Sequence, residues 1–286
     1  MVFGNGGVKT ITSAISTIGG GVLIDDNTTL DVQTSTFGGT STALFMGANS
    51  RFINGGSSTR PNIGGDYLLD ETSTIEFAGT SATIIRTSGK TYANVDISGN
   101  NVTLSGNTTS MDLLPNSTFK VKTNGVFKVK NNNGFSGANN TAINNTNSPI
   151  IVLETGSLIN YVDTGNIDFP NSSITNQVAY ANLELSGNGL KTFVEDTTVL
   201  ENLSVIETAS TMIPTTKTLT VKGNVLKTSS EDFVIESGAN LLQSNAQTTN
   251  NNSGSLKVQR ATSLIRRGDV TIWSAPVADQ NLLAFS

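Results

Sequence analysis

Consecutive acidic side chains are the first candidates for chemistry in this chain, because paired carboxylates can bind calcium or cleave glycosidic bonds. Four pairs occur: Asp25-Asp26, Asp70-Glu71, Glu195-Asp196 and Glu231-Asp232. Neighbours on a strand point to opposite faces, so a pair serves one groove only if a turn bends the chain between them. Three of the pairs follow an apolar run and precede small polar residues, which is typical of a solvated corner. We therefore predict corner residues and no metal site.

Asp96 and Glu184 are the next candidates, and they occupy the same position in two copies of one motif. The copies are Tyr92–Asn100 and Tyr180–Asn188, which lie 88 residues apart. A catalytic centre is normally a single exception to a repeat. The recurrence therefore favours a structural role for both acids.

Lys90 and Arg86 could supply the base and the neutralising cation of a polysaccharide lyase. No group of metal-ligating residues lies near them in the sequence. The chain also has no histidine and no cysteine. That composition leaves no base for a nucleophilic triad, no thiolate zinc site and no disulfide. We predict no catalytic residue, no cofactor and no metal.

The charge and hydropathy of the chain exclude further classes of function. The net charge is −5 and no basic stripe is present, so nucleic acid and anionic membranes are poor partners. No run of 18 apolar residues occurs, so no transmembrane helix is expected. Met1–Gly7 lacks the basic and apolar regions of a signal peptide, so an exported form would be mature or cut from a longer chain.

A fixed period is the strongest signal for the fold. Asn, Thr, Ser and Gly make 132 of the 286 residues, yet apolar residues alternate regularly among them. Leu30, Phe52, Ile75, Ile97 and Phe119 follow one another at intervals of 22, 23, 22 and 22 residues. Short β-rich units with this period predict a solenoid. We predict an all-β, right-handed parallel β-helix with about 13 coils of about 22 residues, spaced by about 4.8 Å.

Breaks in the period divide the chain into three parts. Residues 1–21 are predicted to form an N-terminal cap, in which residues 8–18 fit either a short amphipathic helix or a Thr/Ser-rich strand. Residues 22–249 form the β-helix, with a protruding Asn/Gly-rich loop at 131–148. Residues 250–286 form a C-terminal cap or linker that leads to a missing downstream region.

The C-terminal part carries the remaining candidates for binding. It gathers four cations and the single tryptophan: Lys257, Arg260, Arg266, Arg267 and Trp273. Trp273 could stack on a sugar, but its alternating strand pattern favours burial over the last coil. The cations could bind an anionic surface, but solvated charge at the end of the rod is the simpler interpretation. Thr218-Leu219-Thr220 is too small a threonine patch to predict an ice-binding face.

The segment from Tyr180 to Phe193, YANLELSGNGLKTF, resembles the Y-x-N-L-x-L-S-G-x-G-x-K-T repeat of large secreted proteins from Bacteroidetes. Residues 197–205 and 217–224 continue the resemblance, and residues 258–286 look like the segment that follows the repeats in those proteins. Val270 and Ala275 stand where the family more often has Tyr and Ser. The resemblance implies export by the type IX secretion system. No sorting domain follows Ser286, so we expect a fragment.

We predict a non-catalytic structural repeat module, an adhesin or stalk, at the outer cell surface or in the medium. The alternative is a β-helix that binds or cleaves polysaccharide. A second alternative is a self-assembling filament unit, since an unpaired coil edge can pair with another copy. The predicted partners are the type IX secretion machinery, by resemblance, and either surface glycans or a second copy. We expect no nucleic-acid partner and no insertion into a membrane.

Overall fold

The structure is a computed structural model that describes residues 1–162, 165–169, 179–244 and 251–261. These residues are all-β and contain no helix, and they form a parallel β-solenoid of about 11 coils. The predicted β-helix is therefore confirmed, with fewer coils than the length alone indicated. Trp273, Arg266 and Arg267 lie outside the described residues.

The described strands are short, and most have two to four residues. Their bounds are β1 Val2–Phe3, β2 Gly7–Thr10, β3 Gly21–Ile24, β4 Thr28–Asp31, β5 Gly38–Gly39, β6 Ala43–Met46, β7 Arg51–Asn54, β8 Ser58–Arg60, β9 Asn62–Ile63, β10 Tyr67–Leu69, β11 Thr74–Phe77, β12 Thr83–Ile85, β13 Thr91–Tyr92, β14 Asn94–Ile97, β15 Val102–Leu104, β16 Asp112–Leu113, β17 Thr118–Val121, β18 Val126–Val129, β19 Ile150–Leu153, β20 Leu158–Tyr161, β21 Ile167–Phe169, β22 Asn182–Leu185, β23 Leu190–Phe193, β24 Thr197–Val199, β25 Leu203–Val205, β26 Ser210–Ile213, β27 Thr218–Val221, β28 Val225–Lys227, β29 Phe233–Ile235, β30 Asn240–Gln243 and β31 Lys257–Val258.

Successive coils place their strands side by side in parallel sheets. An eight-stranded sheet runs β28-β25-β22-β20-β18-β15-β12-β8, and a seven-stranded sheet runs β19-β17-β14-β11-β7-β4-β2. A four-stranded sheet (β1-β3-β6-β10) adds a face to the first coils. A five-stranded sheet (β21-β23-β26-β29-β31) and a three-stranded sheet (β24-β27-β30) complete the last ones, and β13-β16 and β5-β9 form two-stranded sheets. The alternation of apolar and polar residues turns one side of each sheet into the core.

The predicted ladder of core residues is correct over three coils and then slips by two residues. Leu30 pairs with Phe52, and Phe52 pairs with Ile75. Ile75 then pairs with Val95, so the next coil is two residues shorter than the period. Val95 pairs with Phe119, and the longer coil restores the spacing. A slip of two residues keeps every side chain on its own face, so the apolar pattern does not reveal it.

The two motif copies do not occupy equivalent positions, which corrects the prediction. Asn94–Ile97 belongs to the seven-stranded sheet, whereas Asn182–Leu185 belongs to the eight-stranded sheet. The cause is the long coil between the copies, in which Phe119 pairs with Ile151 after 32 residues. An offset of 88 residues is therefore not four whole coils.

The segment 131–148 is the reason for the long coil, and part of it lies inside the stack. Phe135, Ala142 and Ile143 are buried in the core, and Ile143 bridges to Met111 and Ser136. Asn139 and Asn140 are exposed. The prediction of a loop that protrudes as a whole is thus wrong for its apolar residues, which are excluded from water by packing on the neighbouring coils.

The N-terminal segment 1–21 forms a first coil and no helical cap. Strand β2 pairs with β4 from Gly7 to Thr10, and Ile15 bridges to Phe37. The helical alternative for residues 8–18 is wrong, and the strand alternative is correct at its start. Val8, Thr10 and Ile11 are β-branched, which favours extended backbone once a neighbouring strand supplies hydrogen bonds.

Asparagine supports many of the corners between strands. Asn27, Asn49, Asn116 and Asn124 adopt positive φ between 53° and 63°. Asparagine tolerates this left-handed conformation better than other residues with a Cβ. The high asparagine content is therefore partly a requirement of the solenoid corners.

Candidate functional site

The acidic pairs lie at corners, and their carboxylates accept hydrogen bonds from neighbouring backbone. Asp26 Oδ1 accepts from the amide of Ala48 at 2.8 Å, one coil further on. Asp70 Oδ1 accepts from the hydroxyl of Thr72 at 2.6 Å and from its amide at 2.9 Å, and these two bonds lower the pKa of Asp70. Asp196 Oδ1 accepts from the amide of Thr218 at 2.7 Å. The predicted corner position is confirmed for Asp26 and Asp70, and Asp196, whose pair was not among the three predicted at corners, also lies between strands.

The other acids of the pairs make ion pairs or remain at the surface. Glu195 Oε2 lies 3.0 Å from Lys217 Nζ, and Asp232 Oδ2 lies 3.1 Å from Lys257 Nζ. Within the described ranges, no group of three or more His, Cys, Asp or Glu side chains could hold a metal ion. Glu195 and Asp232 therefore each tie a corner to the next coil.

Lys90 and Arg86 both reach back to backbone carbonyls of the preceding coil. Lys90 Nζ donates to the carbonyls of Gly64 at 3.1 Å and Gly65 at 2.6 Å, and it lies 5.1 Å from the centroid of the Tyr67 ring. Arg86 Nε donates to the carbonyl of Pro61 at 3.1 Å. Lys90 is only 7% exposed. An ammonium held in this way joins two coils and is not presented to a substrate.

Among the described residues, the largest group of opposite charges is a cluster of four side chains on the outer side of the seven-stranded sheet, called here the charge cluster. It consists of Arg51, Glu76, Asp96 and Lys122. Arg51 Nε and Nη2 donate to Glu76 Oε2 at 2.9 and 2.6 Å, and Nη2 also donates to Asp96 Oδ2. Lys122 Nζ lies 3.1 Å from Glu76 Oε1 and 3.3 Å from Asp96 Oδ2. The charge cluster thus ties four successive coils together.

Strand register explains how the two carboxylates meet. Glu76 on β11 pairs directly with Asp96 on β14, so their Cα atoms are one strand spacing apart. Two like charges this close repel each other. Arg51 on one side and Lys122 on the other neutralise both, and the hydroxyl of Ser98 also donates to Glu76 Oε1. The arrangement is stable because each carboxylate contacts two cations.

The electrostatics of Glu76 oppose a role as a general acid. Burial alone would raise the pKa of Glu76, but hydrogen bonds from Ser98 and Arg51 outweigh it and lower that pKa. A glycosidase acid needs the opposite shift, because it must hold a proton near neutral pH. Although adjacent rungs bring two carboxylates close together, Glu76 is held as a paired anion.

Glu184 differs from Asp96, its counterpart in the motif. Burial and repulsion from Glu207 raise the pKa of Glu184, while Lys128 and a hydrogen bond from the amide of Asn160 act against the rise. Asn160 and Ser204 are its strand neighbours in the eight-stranded sheet. Ser186 in turn donates to Asn160 Oδ1 at 2.8 Å. Glu184 is therefore a half-buried carboxylate in a polar row and is not directly paired with a cation.

The sequence pattern missed the charge cluster because the register slips within it. With a period of 22 residues, Asp96 would lie beside Thr74, whereas the shorter coil places it beside Glu76. Neither Arg51 nor Lys122 is part of a sequence motif. Their outward position could have been read from the alternation with the inward residues Phe52 and Val121, but the contact partners could not.

The outer threonine row at Thr220 is short. Thr198 and Thr220 are neighbours across β24 and β27, and Leu242 follows on β30 with 53% exposure. A flat ice-binding face would continue threonine over more coils. This geometry gives no support to such a face.

The lysine of the resemblance motif is structural in this chain. Lys191 is fully buried, and its Nζ donates to the carbonyls of Asn188 at 2.8 Å and Gly165 at 3.0 Å. Burying an ammonium is costly unless it is hydrogen-bonded, and these carbonyls supply the partners. The motif therefore encodes a cross-coil contact.

Comparison with known proteins assigns no function to this chain. A family model described as a domain of unknown function, DUF8693, matches residues 174–286, which is less than half of the chain. No curated protein and no solved structure matches the chain. The part of the chain that the structure describes holds no helix long and apolar enough to cross a membrane.

Proposed function

We propose that this chain is a non-catalytic structural repeat module, a stalk or an adhesin-like rod that is secreted or exposed at the cell surface. The observation that carries the proposal is that charged side chains of this chain bind one another or backbone carbonyls of neighbouring coils. Arg51, Glu76, Asp96 and Lys122 neutralise one another across four coils, and Lys90 is bound to carbonyls of the preceding coil. Such contacts support a stiff rod, since each of them joins separate rungs.

A panel of polysaccharides, including pectin, alginate and host glycans, tests the non-catalytic role. We expect the wild-type chain to release no reducing ends and no unsaturated products. Lys90→Ala and Asp96→Asn serve as matched variants, each checked for folding by circular dichroism. A wild-type activity that disappears in either folded variant would contradict the proposal. A glycan array probed with the same chain then separates an adhesin, which binds, from a stalk, which does not.

Export by the type IX system belongs to the same proposal and rests on the sequence resemblance alone, which begins at Tyr180–Phe193 and continues to residue 286. Its test is separate from the test of catalysis. An antibody against the chain should label intact cells of the source organism, and the label should be lost when the secretion machinery is inactivated. Detection only after cell lysis would overturn this part of the proposal.

A polysaccharide-active β-helix stays the second candidate because of one feature. Glu184 has a raised pKa and lies near a second acid, Glu207, which is the kind of environment that a general acid requires. If the panel detects activity, Glu184→Gln and Glu207→Gln should abolish it, whereas Glu154→Gln at an exposed corner should not. Activity that survives both substitutions would remove this candidate.

A further inference from the structure

The outer side of the four-stranded sheet carries an exposed apolar row that runs over four strands. Strand register aligns Val2, Leu23, Phe45 and Leu68 as direct neighbours. Val2 is 67% exposed, Phe45 38% and Leu68 57%, and Leu23 is half-buried. The matching outer row of the seven-stranded sheet holds Ile53, Glu76, Asp96 and Lys120 as direct neighbours. We call the four apolar residues the apolar row.

A groove lies at the end of the apolar row. It has a volume of about 620 Å³, and its lining includes Met46, Leu68, Leu69, Asp26 and Asp70. The groove thus combines an apolar floor with two carboxylates. Both carboxylates use one oxygen, Oδ1, to accept backbone hydrogen bonds.

The surroundings of the apolar row are acidic. Residues 19–27, 40–50 and 64–73 contain β3, β6, β10 and their corners, and they hold five acids and no lysine or arginine: Asp25, Asp26, Asp66, Asp70 and Glu71. Next to β1, the N-terminal ammonium of Met1 donates to the carbonyl of Gly21 at 2.7 Å. Lys90 reaches the carbonyls of Gly64 and Gly65, but it is buried and adds little to the surface. An apolar surface with an acidic rim fits a partner that is apolar and cationic.

The opposite end of the described rod presents such a segment. Residues 256–260 read Leu-Lys-Val-Gln-Arg, and all of them are exposed. Leu256 and Val258 are among the exposed large apolar residues of the chain. Lys257 Nζ is paired with Asp232 Oδ2 at 3.1 Å, whereas Arg260 Nη1 donates, among the described residues, only to the backbone carbonyls of Glu236 and Gln259, so the charge of Arg260 is not offset by a carboxylate.

The segment cannot reach the apolar row of its own chain. Strand β31 is fixed beside β29, with Lys257 paired to Val234 and Val258 paired to Ile235. About seven coils separate β31 from β10, which is on the order of 30 Å at the usual strand spacing. The contact is therefore one between two molecules.

We propose that the apolar row and its acidic groove bind residues 256–260 of a second copy of this chain. Because side chains alternate along a strand, Leu256, Val258 and Arg260 share one side of the segment, and Lys257 points to the other. Leu256 and Val258 would cover Phe45 and Leu68, and Arg260 would face Asp26 and Asp70. The two surfaces lie at different ends, so the contact is head-to-tail and produces chains of molecules unless the rotation closes a ring. This inference does not depend on whether the module serves as a stalk or an adhesin.

Sedimentation velocity of the full chain over a range of concentrations tests the proposal. We expect species larger than a monomer whose proportion rises with concentration and falls with added salt. The double variant Phe45→Ser/Leu68→Ser should weaken association by at least about tenfold, since buried anchors dominate such contacts. Leu242→Ser is the matched control, because Leu242 is equally exposed on a different sheet, and it should associate like the wild type.

Charge exchange identifies the partner surface. Arg260→Glu should weaken association, and adding Asp26→Lys/Asp70→Lys in the same molecule should restore it. Circular dichroism of every variant establishes that the fold is retained. A wild-type chain that stays monomeric would overturn the proposal. So would a folded Phe45→Ser/Leu68→Ser variant that associates normally, or a charge exchange that restores nothing.

Discussion

Individual charged residues in this solenoid act as links between coils. Arg51 donates to acids on the next strand and on the strand beyond it, and Lys122 contacts the same two acids from the other side. Removing one member leaves the rest uncompensated on a surface that is largely shielded from water. The cost of breaking such a pair exceeds its net contribution, because the remaining charges stay desolvated.

Arg51→Met is expected to lower the free energy of unfolding by about 2 kcal/mol, below the range for fully buried pairs because Arg51 is half-buried. The loss leaves Glu76 and Asp96 side by side with only Lys122 to neutralise them. Urea denaturation followed by circular dichroism measures the effect. Lys120→Met is the control, since its pair with Glu154 is exposed and 3.9 Å long, and it should change stability by about 0.5 kcal/mol or less. Equal effects of the two substitutions would contradict the role of the charge cluster in holding the coils together.

Glu76 and Glu184, which lie on different sheets, predict opposite dependences of stability on pH. The pKa of Glu76 is lowered in the fold, so its contribution is present above the unfolded value, near 4.3, and is lost as pH falls through the folded value. The pKa of Glu184 is raised, so its contribution is present below the unfolded value and is lost as pH rises through the folded value.

Glu76→Gln should therefore be less stable than wild type at pH 7, and the difference should shrink in acid. Glu184→Gln should be more stable than wild type at pH 7, with a difference that also vanishes in acid. Thermal denaturation of the three proteins over a pH series checks both signs. If both variants deviate from wild type in the same direction at pH 7, the assigned environments are wrong.

At the scale of elements, the insertion at 131–148 shapes the second half of the stack. Phe135 packs against Phe119, Phe127 and Tyr180, with ring centroids 5.8, 5.8 and 6.5 Å away, and its amide donates to the Tyr161 hydroxyl. The hydroxyls of Tyr161 and Tyr180 are themselves 3.0 Å apart. The insertion thus seals the core at the position where the seven-stranded sheet ends.

Phe135→Ala should cost about 3–5 kcal/mol of stability, because it leaves a cavity among these rings. Asn139→Ala, an exposed change in the same segment, should cost less than about 0.5 kcal/mol. Denaturant unfolding of both variants distinguishes a core segment from a free loop. A Phe135→Ala variant as stable as the Asn139→Ala variant would mean that the segment is not part of the core.

The elements also show what the sequence could and could not predict. The period, the strands and the inward face were predictable from alternation, and Leu30, Phe52 and Ile75 stack as expected. The partners of Asp96 and Glu184 were not predictable. A two-residue slip in register preserves the apolar pattern. A 32-residue coil places the second motif copy on another sheet, although the sequence of the motif is nearly unchanged.

At the scale of the whole molecule, parallel pairing links each rung to the next from β2 to β31. Backbone hydrogen bonds, core packing and the cross-coil contacts of charged residues all run along the same axis. A rod built in this way resists bending, because bending must open hydrogen bonds on one side. This stiffness supports the proposed stalk role, and the proposed head-to-tail contacts would extend the rod.

The proposed stalk role requires the described coils to form one stiff rod. The chain contains no cysteine, so spin labels can be attached at Val8→Cys and Val258→Cys, two exposed positions in the first and last described coils. Pulsed electron–electron double resonance, with labelled protein diluted in unlabelled protein, then reads the distance within one molecule. We predict a narrow distribution centred on the order of 50 Å, from about ten rung spacings. A broad distribution, or one centred far below this value, would contradict the rod.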